Sequence, residues 1–294
     1  MVKVRKAVIP AAGYGTGFLP ATKAQPKELL PIVDKPIIQF IIEEAIESGI
    51  EEILVITGKH KRAIEDHFDS NIELEDNLES KGKLELLEIV RSTTKSNLFF
   101  VRQSYPRGLG DAIYQAKAFV NDEPFVVMLG DDILEGDIPA TKELVDLYEA
   151  TEQPVVGICS IEAHQADEYG IIEIDASEMS NQDLYAVKQI VEKPASDQAP
   201  SNLAIAGRYV LPAAIFDILE GLEPSTHNEV QLTDAINILN QTQPILAKRL
   251  TADRHDVGNK IGFMKMSIHY GLSHPETDKG LKEHLIQLAK ELQK

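Results

Sequence analysis

Short, nearly continuous apolar runs alternate along the chain with segments whose apolar residues recur every three or four positions. The run "KAVIPAAG" (6–13) predicts a first strand. "IIQFIIEEAIESGI" (37–50) then places Ile38, Ile41, Ile42, Ala45 and Ile46 on one helical face, with Gly49 as its stop. "EEILVITG" predicts a second strand, "HKRAIEDHF" the start of a second helix, and "LFFVRQ" and "PFVVMLGDD" two more strands with a helix, "LGDAIYQAKAFV", between them. Strands this uniformly apolar, alternating with helices, imply a largely parallel sheet covered on both faces. "VVGICSIE" continues it.

From about residue 168 the rhythm changes. "YGIIEID" and "LYAVKQIVEKP" alternate apolar and polar positions, as antiparallel strands do. "AGRYVLPAAIFDILEGL" and "NEVQLTDAINILNQT" return to strand and helices, and the tail predicts two amphipathic helices, the second with Leu281, Leu285, Leu288 and Leu292 on one face. The expected fold is α/β: a Rossmann-like, mostly parallel sheet flanked by helices, with a small antiparallel insertion and C-terminal helices. With no repeat and no low-complexity linker, we read 1–294 as a single domain. Its parts are a parallel-sheet half at about 1–165, a half with the antiparallel insertion at about 166–258 and a helical tail at about 259–294.

Composition narrows the function. A net charge of −18 argues against sequence-independent binding to nucleic acid or anionic membranes. Any polyphosphate ligand must therefore meet local lysines or a metal ion. The single cysteine, Cys159, excludes an intramolecular disulfide and fits a reducing compartment, and no stretch approaches the ~20 apolar residues of a spanning helix. The expected location is the cytoplasm. The eight histidines are scattered, and His60, His67 and His164 lack metal-ligand spacing.

The chemistry begins at "AAGYGTGFLPATKAQPKELLP" (11–31), a glycine loop after the first strand, where small residues let backbone N–H groups approach an anion. A dinucleotide fingerprint would need glycine at position 18, which is Phe18, and an acid ending the second strand, which is missing. The Gly-Lys-Ser/Thr of a Walker loop is absent too. A nucleoside-triphosphate loop of a nucleotidyltransferase remains.

The sequence resembles the bacterial UTP–glucose-1-phosphate uridylyltransferases, within the sugar nucleotidyltransferase superfamily. The likeness runs through "AAGYGTGFLPATKAQPKELLPIVDKP", "VRQSYPRGLGDAI", "EPFVVMLGDD", "EYGIIE", "VEKP", "NEVQLTDAI" and "DVGNKIGF", in order and over almost the whole chain. It implies attack by the phosphate of glucose 1-phosphate on the α-phosphorus of UTP, with Mg²⁺ as cofactor and a homodimer or homotetramer as the assembly. No general base is needed, because the nucleophile is already an anion at neutral pH. The resemblance implies Lys27 at the triphosphate, Lys193 at the sugar phosphate, and Asp131 with Asp256 at the metal. It gives the nucleotide the backbone of Ala12, Gly13, Gly15 and Gly108, with Gln103 at the base, Glu28 as a second base-side residue and Asp132 at the ribose. Glu192 and the Gly170 backbone are implied for glucose.

One position departs from the pattern. The family reads G-x-G-T-R where this chain reads G-Y-G-T-G, so the triphosphate-contacting arginine is Gly17. Losing a rigid cationic fork should cost on the order of 10²–10³ in rate if it acts in the transition state. Lys23 and Arg107 are the cations that could compensate. Two readings follow: an enzyme, impaired or rescued, or a catalytically silent paralogue that binds a nucleotide sugar or an active subunit. The choice between UTP and dTTP also stays open. Asp111, after "GLG", and Asn259, in "DVGNK", are smaller departures.

Overall fold

The computed structural model describes residues 2–94, 97–174, 183–224 and 228–293. Its main sheet has nine strands: β1 (Lys6–Ala11), β4 (Glu52–Thr57), β5 (Leu98–Arg102), β6 (Phe125–Met128), β8 (Val155–Ser160), β9 (Gly170–Ile174), β10 (Leu184–Glu192), β11 (Leu203–Leu211) and β12 (Leu246–Arg249). Two ribbons stand apart from it, one of β2 (Pro31–Ile32) and β3 (Lys35–Pro36), the other of β7 (Asp132–Glu135) and β13 (Asp253–Asp256). The strand order is β5-β4-β1-β6-β11-β8-β12-β10-β9. β5, β4, β1 and β6 run parallel, as their continuous apolar runs require. β11 enters antiparallel between β6 and β8, and β9 and β10 finish the far side antiparallel. The expected insertion thus extends the same sheet. Residue 175, the last of the segment expected as a strand at "YGIIEID", lies outside the described residues.

Helices cover both faces. On one, the core joins α1 (Ile37–Glu47), α2 (Arg62–Phe68), α7 (Ala140–Thr151) and α10 (Lys260–Ser273). On the other it joins α5 (Leu109–Tyr114), α6 (Lys117–Val120), α8 (Ile215–Gly221) and α9 (Leu232–Asn240). The helix expected at "LGDAIYQAKAFV" is therefore two short ones. In α1, Ile38, Ile41, Ile42 and Ala45 are buried as expected, but Ile46 is 45% exposed. It lies about 80° around the helix from Ile38, at the edge of the stripe and in the last turn. The pair α3 (Ile72–Ser80) and α4 (Leu84–Thr93) was not anticipated. α11 (Asp278–Leu292) carries the predicted leucines, but none of its residues is buried and Leu292 is 79% exposed.

The parallel half decides where ligands can bind. The glycine loop, Gln103 and Asp131 follow the carboxyl ends of β1, β5 and β6, the edge where open α/β sheets bind ligands.

Candidate active site

The glycine loop is folded against its own lysine. Gly15 has φ 67°, and a Cβ there would stand 3.3 Å from the Cβ atoms of both Lys27 and Thr22. The Thr22 hydroxyl donates to the Gly15 carbonyl at 2.6 Å, and the buried Phe18 ring meets Phe263 of α10 edge-on at 5.6 Å. Lys27 is thereby aimed at Asp131, Nζ to Oδ2 at 2.7 Å. Burial pulls the Lys27 amine down, but the Asp131 carboxylate overrides it and leaves the pKa above the ordinary lysine value. For Asp131, burial works upward, yet Lys27, with Arg254 behind it, holds the carboxyl below its usual range. Both groups are charged at neutral pH.

Asp256 joins this pair from the other end of the chain. Its Oδ1 accepts the Gly258 N–H at 2.8 Å, and its Oδ2 accepts the Tyr169 hydroxyl at 2.7 Å and the Asn259 amide at 3.2 Å. Asn259 also caps α10 by accepting the Gly262 N–H at 2.9 Å. A Cβ built on Gly258 would lie 3.1 Å from Asp131 Oδ2 and 3.1 Å from Asp256 Oδ1. The two carboxylates therefore flank one small cradle that a side chain at position 258 would crowd. Two carboxylates facing a gap of this size suit a hard dication that takes oxygen ligands. A cleft of about 980 Å³ opens beside Asp256, with Tyr169, Arg254 and Asn259 in its walls.

Behind the acids lies a scaffold of buried cations. Arg208, fully buried, pairs with Glu44 at 2.6 Å and donates to the carbonyls of Leu129 at 3.3 Å and Asp132 at 2.9 Å, bracketing the turn that carries Asp131. Arg254 holds Asp132 Oδ1 at 2.7 Å and lies 4.1 Å over the Tyr169 ring, whose hydroxyl reaches Asp256. Burial pushes the Asp132 carboxyl up to about 6 against the pull of Arg254. Glu28, 1% exposed, gives both carboxylate oxygens to Lys61, at 2.8 and 2.7 Å. Glu28 and Asp132, both expected at the nucleotide, are buried, and each is paired with a cation inside the fold.

A second cluster forms at the end of β5. The Gln103 N–H donates to the Thr57 carbonyl at 2.9 Å, and the next residue, Gly58, packs so closely on the Ala12 carbonyl that a Cβ would stand 2.8 Å from it. Ala12 and Gln103 therefore flank the same turn, with Gly13 open to solvent. The Gln103 side-chain amide donates to Asp111 Oδ2 at 2.6 Å and to the Gly108 carbonyl at 3.3 Å. Gly108, at φ 94°, is pressed against the Val230 carbonyl, where a side chain would clash. Arg107, one of the two cations expected to compensate for the missing arginine, donates to Asp111 at 2.9 Å. Lys23 is exposed and has no ion-pair partner among the described residues.

The residues expected at the sugar also meet. Gly170 and Glu192 are register partners across β9 and β10, and a Cβ on Gly170 would stand 3.3 Å from Glu192 Oε2. That oxygen accepts the Thr233 hydroxyl at 2.6 Å. Lys193 follows in the left-handed region (φ 46°), its N–H donating to the Tyr169 carbonyl at 3.0 Å. Tyr169 thus touches both Asp256 and the backbone of Lys193. Sequence reasoning missed Lys61, Tyr169, Arg208 and Arg254. It passed over Asp111 as a variation, although its place eight residues after Gln103 and one turn into a helix was the available signal.

This arrangement, with a lysine-armed glycine loop, paired acids and a separate buried side-chain amide, defines a class. The chain belongs to the nucleotidyl transferase family, whose model matches residues 6–271. Within that family it groups with bacterial UTP–glucose-1-phosphate uridylyltransferases. It is 57% identical over 298 residues to the Streptococcus pyogenes protein named UTP–glucose-1-phosphate uridylyltransferase 2, covering 100% of this chain and 99% of that one. It is 58% identical to the Streptococcus pneumoniae protein named UTP–glucose-1-phosphate uridylyltransferase, over 99% of this chain and 98% of that one. Among solved structures, a UTP-bound UGPase from Acinetobacter baumannii superposes with a TM-score of 0.89 at 39% identity, over 97% of this chain and 99% of that one. A UDP-glucose pyrophosphorylase complexed with UDP-glucose gives 0.82 at 38%, over 92% and 100%. Nothing in these comparisons favours a silent paralogue. Among the described residues, no helix is long and apolar enough to cross a membrane.

Proposed function

We propose that this chain transfers the uridylyl group of UTP to glucose 1-phosphate, giving UDP-glucose and pyrophosphate. The observation that carries the reading is the convergence of Asp131 and Asp256 on the Gly258 cradle, beside the glycine loop and its Lys27. A sugar-phosphate oxygen attacks the α-phosphorus in line, a P–O bond forms, and the bond to the departing pyrophosphate breaks. No proton moves, so the protein's work is alignment and charge neutralisation.

Lys27 is given to the triphosphate and Lys193 to the phosphate of the incoming sugar. Asp131 and Asp256 would hold Mg²⁺, which when bound screens the negative charge of the phosphates. The Ala12, Gly13 and Gly15 backbone approaches the nucleotide. Gln103 spends both amide hydrogens on Asp111 and Gly108, which leaves its carbonyl oxygen to accept the N3–H of uracil. Thymine presents the same edge, so preference for UTP over dTTP must come from the space around the 5-position and the ribose. Glu192 and the Gly170 backbone take glucose hydroxyls. Glu28 and Asp132 act as props, the first locking Lys61 under the loop and the second anchoring Arg254.

We read the whole chain as one catalytic unit, cytoplasmic and homo-oligomeric, with the exposed apolar side chains of α11 as the association surface. The test is formation of UDP-glucose from UTP, glucose 1-phosphate and Mg²⁺, with Asp131→Asn as control. Turnover abolished by the substitution is expected. No product from the unaltered chain, at enzyme concentrations near those of the substrates, overturns the reading.

A further inference from the structure

The β7–β13 ribbon carries the carboxylate of Asp256 at one end and an unexplained cluster beside it. Glu135 ends β7, and His255 lies on β13, two places along the ladder from the partner of Glu135, so both project from the same face. His269, from the third turn of α10, completes the group. Its Nε2 lies 2.9 Å from Glu135 Oε2, and the Nε2 of His255 lies 3.5 Å from the same oxygen. The two imidazole rings face each other at 5.0 Å with a 34° tilt. One donor atom from each of the three residues falls within 4.8 Å of the other two.

We propose that Glu135, His255 and His269 form a binding site for a borderline transition-metal dication, of which Zn²⁺ is the representative. Three observations carry it. The first is spacing: ligand atoms around tetrahedral zinc stand roughly 3.3–3.6 Å apart, given metal–ligand bonds of about 2.0–2.2 Å, and the three donors here need only small rotations to reach that. The second is an unmet group. His255 Nε2 is closed off from solvent and makes no hydrogen bond of normal geometry, the Glu135 Oε2 standing off at 3.5 Å, whereas buried polar atoms are ordinarily satisfied. A metal ion would give its lone pair a partner. The third is access. His269 and Glu135 are each about half exposed, so an ion can enter from solvent and keep a water as fourth ligand.

The ligand chemistry separates this site from the Asp131–Asp256 pair. Two imidazoles and one carboxylate select zinc, cobalt or nickel, while magnesium prefers oxygen ligands and waters. An ion here would tie β7, β13 and α10 together directly behind Asp256. Its effect would be to stiffen the ribbon rather than take part in the transfer.

The experiment is calorimetric titration of chelator-stripped protein with Zn²⁺ in excess Mg²⁺, which occupies the oxygen site. Co²⁺ is used in parallel for its visible d–d bands. The expected result is one Zn²⁺ per chain, a rise in Tm on loading and a tetrahedral-type cobalt spectrum. Affinity should fall at least tenfold in both His269→Ala and Glu135→Gln. His269 is exposed, so its replacement should leave the metal-free Tm and circular dichroism unchanged, which separates loss of a ligand from loss of the fold. Absence of binding in excess Mg²⁺, or an affinity in either variant equal to that of the unaltered chain, overturns the proposal.

Discussion

Gly17 lies directly against Gly258: a Cβ on Gly17 would stand 3.2 Å from the Gly258 carbonyl oxygen, and Gly258 in turn fronts both Asp131 and Asp256. The position where relatives of this type were expected to carry arginine is therefore at the edge of the acid cradle. Gly17 sits in a short 3₁₀ turn, Thr16–Phe18, without positive φ, so a side chain there needs only a shift of a few tenths of an ångström in one carbonyl. Gly17→Arg should fold normally and raise kcat by about 10²-fold, the value of one preorganised donor. Pyrophosphate release and a thermal melt check both statements. An unchanged rate would mean that Lys27, Lys193 and exposed Lys23 already supply the charge.

The Asp111–Gln103 hydrogen bond makes a sharper claim about base choice. Asp111→Ala frees the Gln103 amide to rotate, so its carbonyl no longer faces uracil by default. The KM for UTP should rise roughly tenfold, equivalent to about 1.4 kcal/mol, with kcat largely kept. Discrimination of UTP against CTP should weaken. Steady-state kinetics with the two nucleotides decides it; equal loss of kcat for both would point to a folding defect instead.

Arg208 is expected to matter for stability first and rate second. Arg208→Met leaves Glu44 buried without its cation and releases the carbonyls of Leu129 and Asp132, a change that costs about 3–5 kcal/mol when one partner of a buried pair is removed. Denaturant unfolding measures it. Pairing the substitution with Glu44→Leu should recover part of the loss, because the uncompensated charge is then gone.

His67 gives a pH-dependent readout away from the site. Its Nε2 lies 3.0 Å from Gln39 Oε1, and burial lowers its pKa below 6.5. As pH falls through 6.5 the unfolded chain takes the proton first, so stability present above that pH is lost until the folded ring also titrates. His67→Gln should flatten the fall in unfolding free energy between about pH 7 and 5, measured as a series of denaturant melts. An unchanged slope would assign the effect to another histidine, His255 being next in line.

How much of this was legible depended on range. The parallel strands and α1 announced themselves because their burial pattern is local, and Lys27, Gln103 and Asp131 could be found because each sits in a short segment at a strand end. Lys61, Arg208 and Arg254 could not be found that way. Each is a cation whose partner lies on a distant segment, Glu44 in the case of Arg208 and Asp132 in the case of Arg254. Before folding, such a residue reads as an ordinary surface charge. The Glu135–His255–His269 group is the extreme case, because no linear spacing relates two ribbon strands to the third turn of a helix. Glu28 and Asp132 show the converse: a motif identifies the residue, but only packing reveals that its carboxylate is turned inward.

The edge-on contact between Phe18 and Phe263 joins positions 245 residues apart, from the glycine loop to the helix that follows Asp256. A chain emerging from the ribosome makes the loop early and its buttress near the end. The loop's ability to grip a triphosphate therefore belongs to the finished polypeptide and not to any amino-terminal fragment. A nascent chain halted before residue 263 should carry every residue of the nucleotide motif and still be unable to hold the nucleotide.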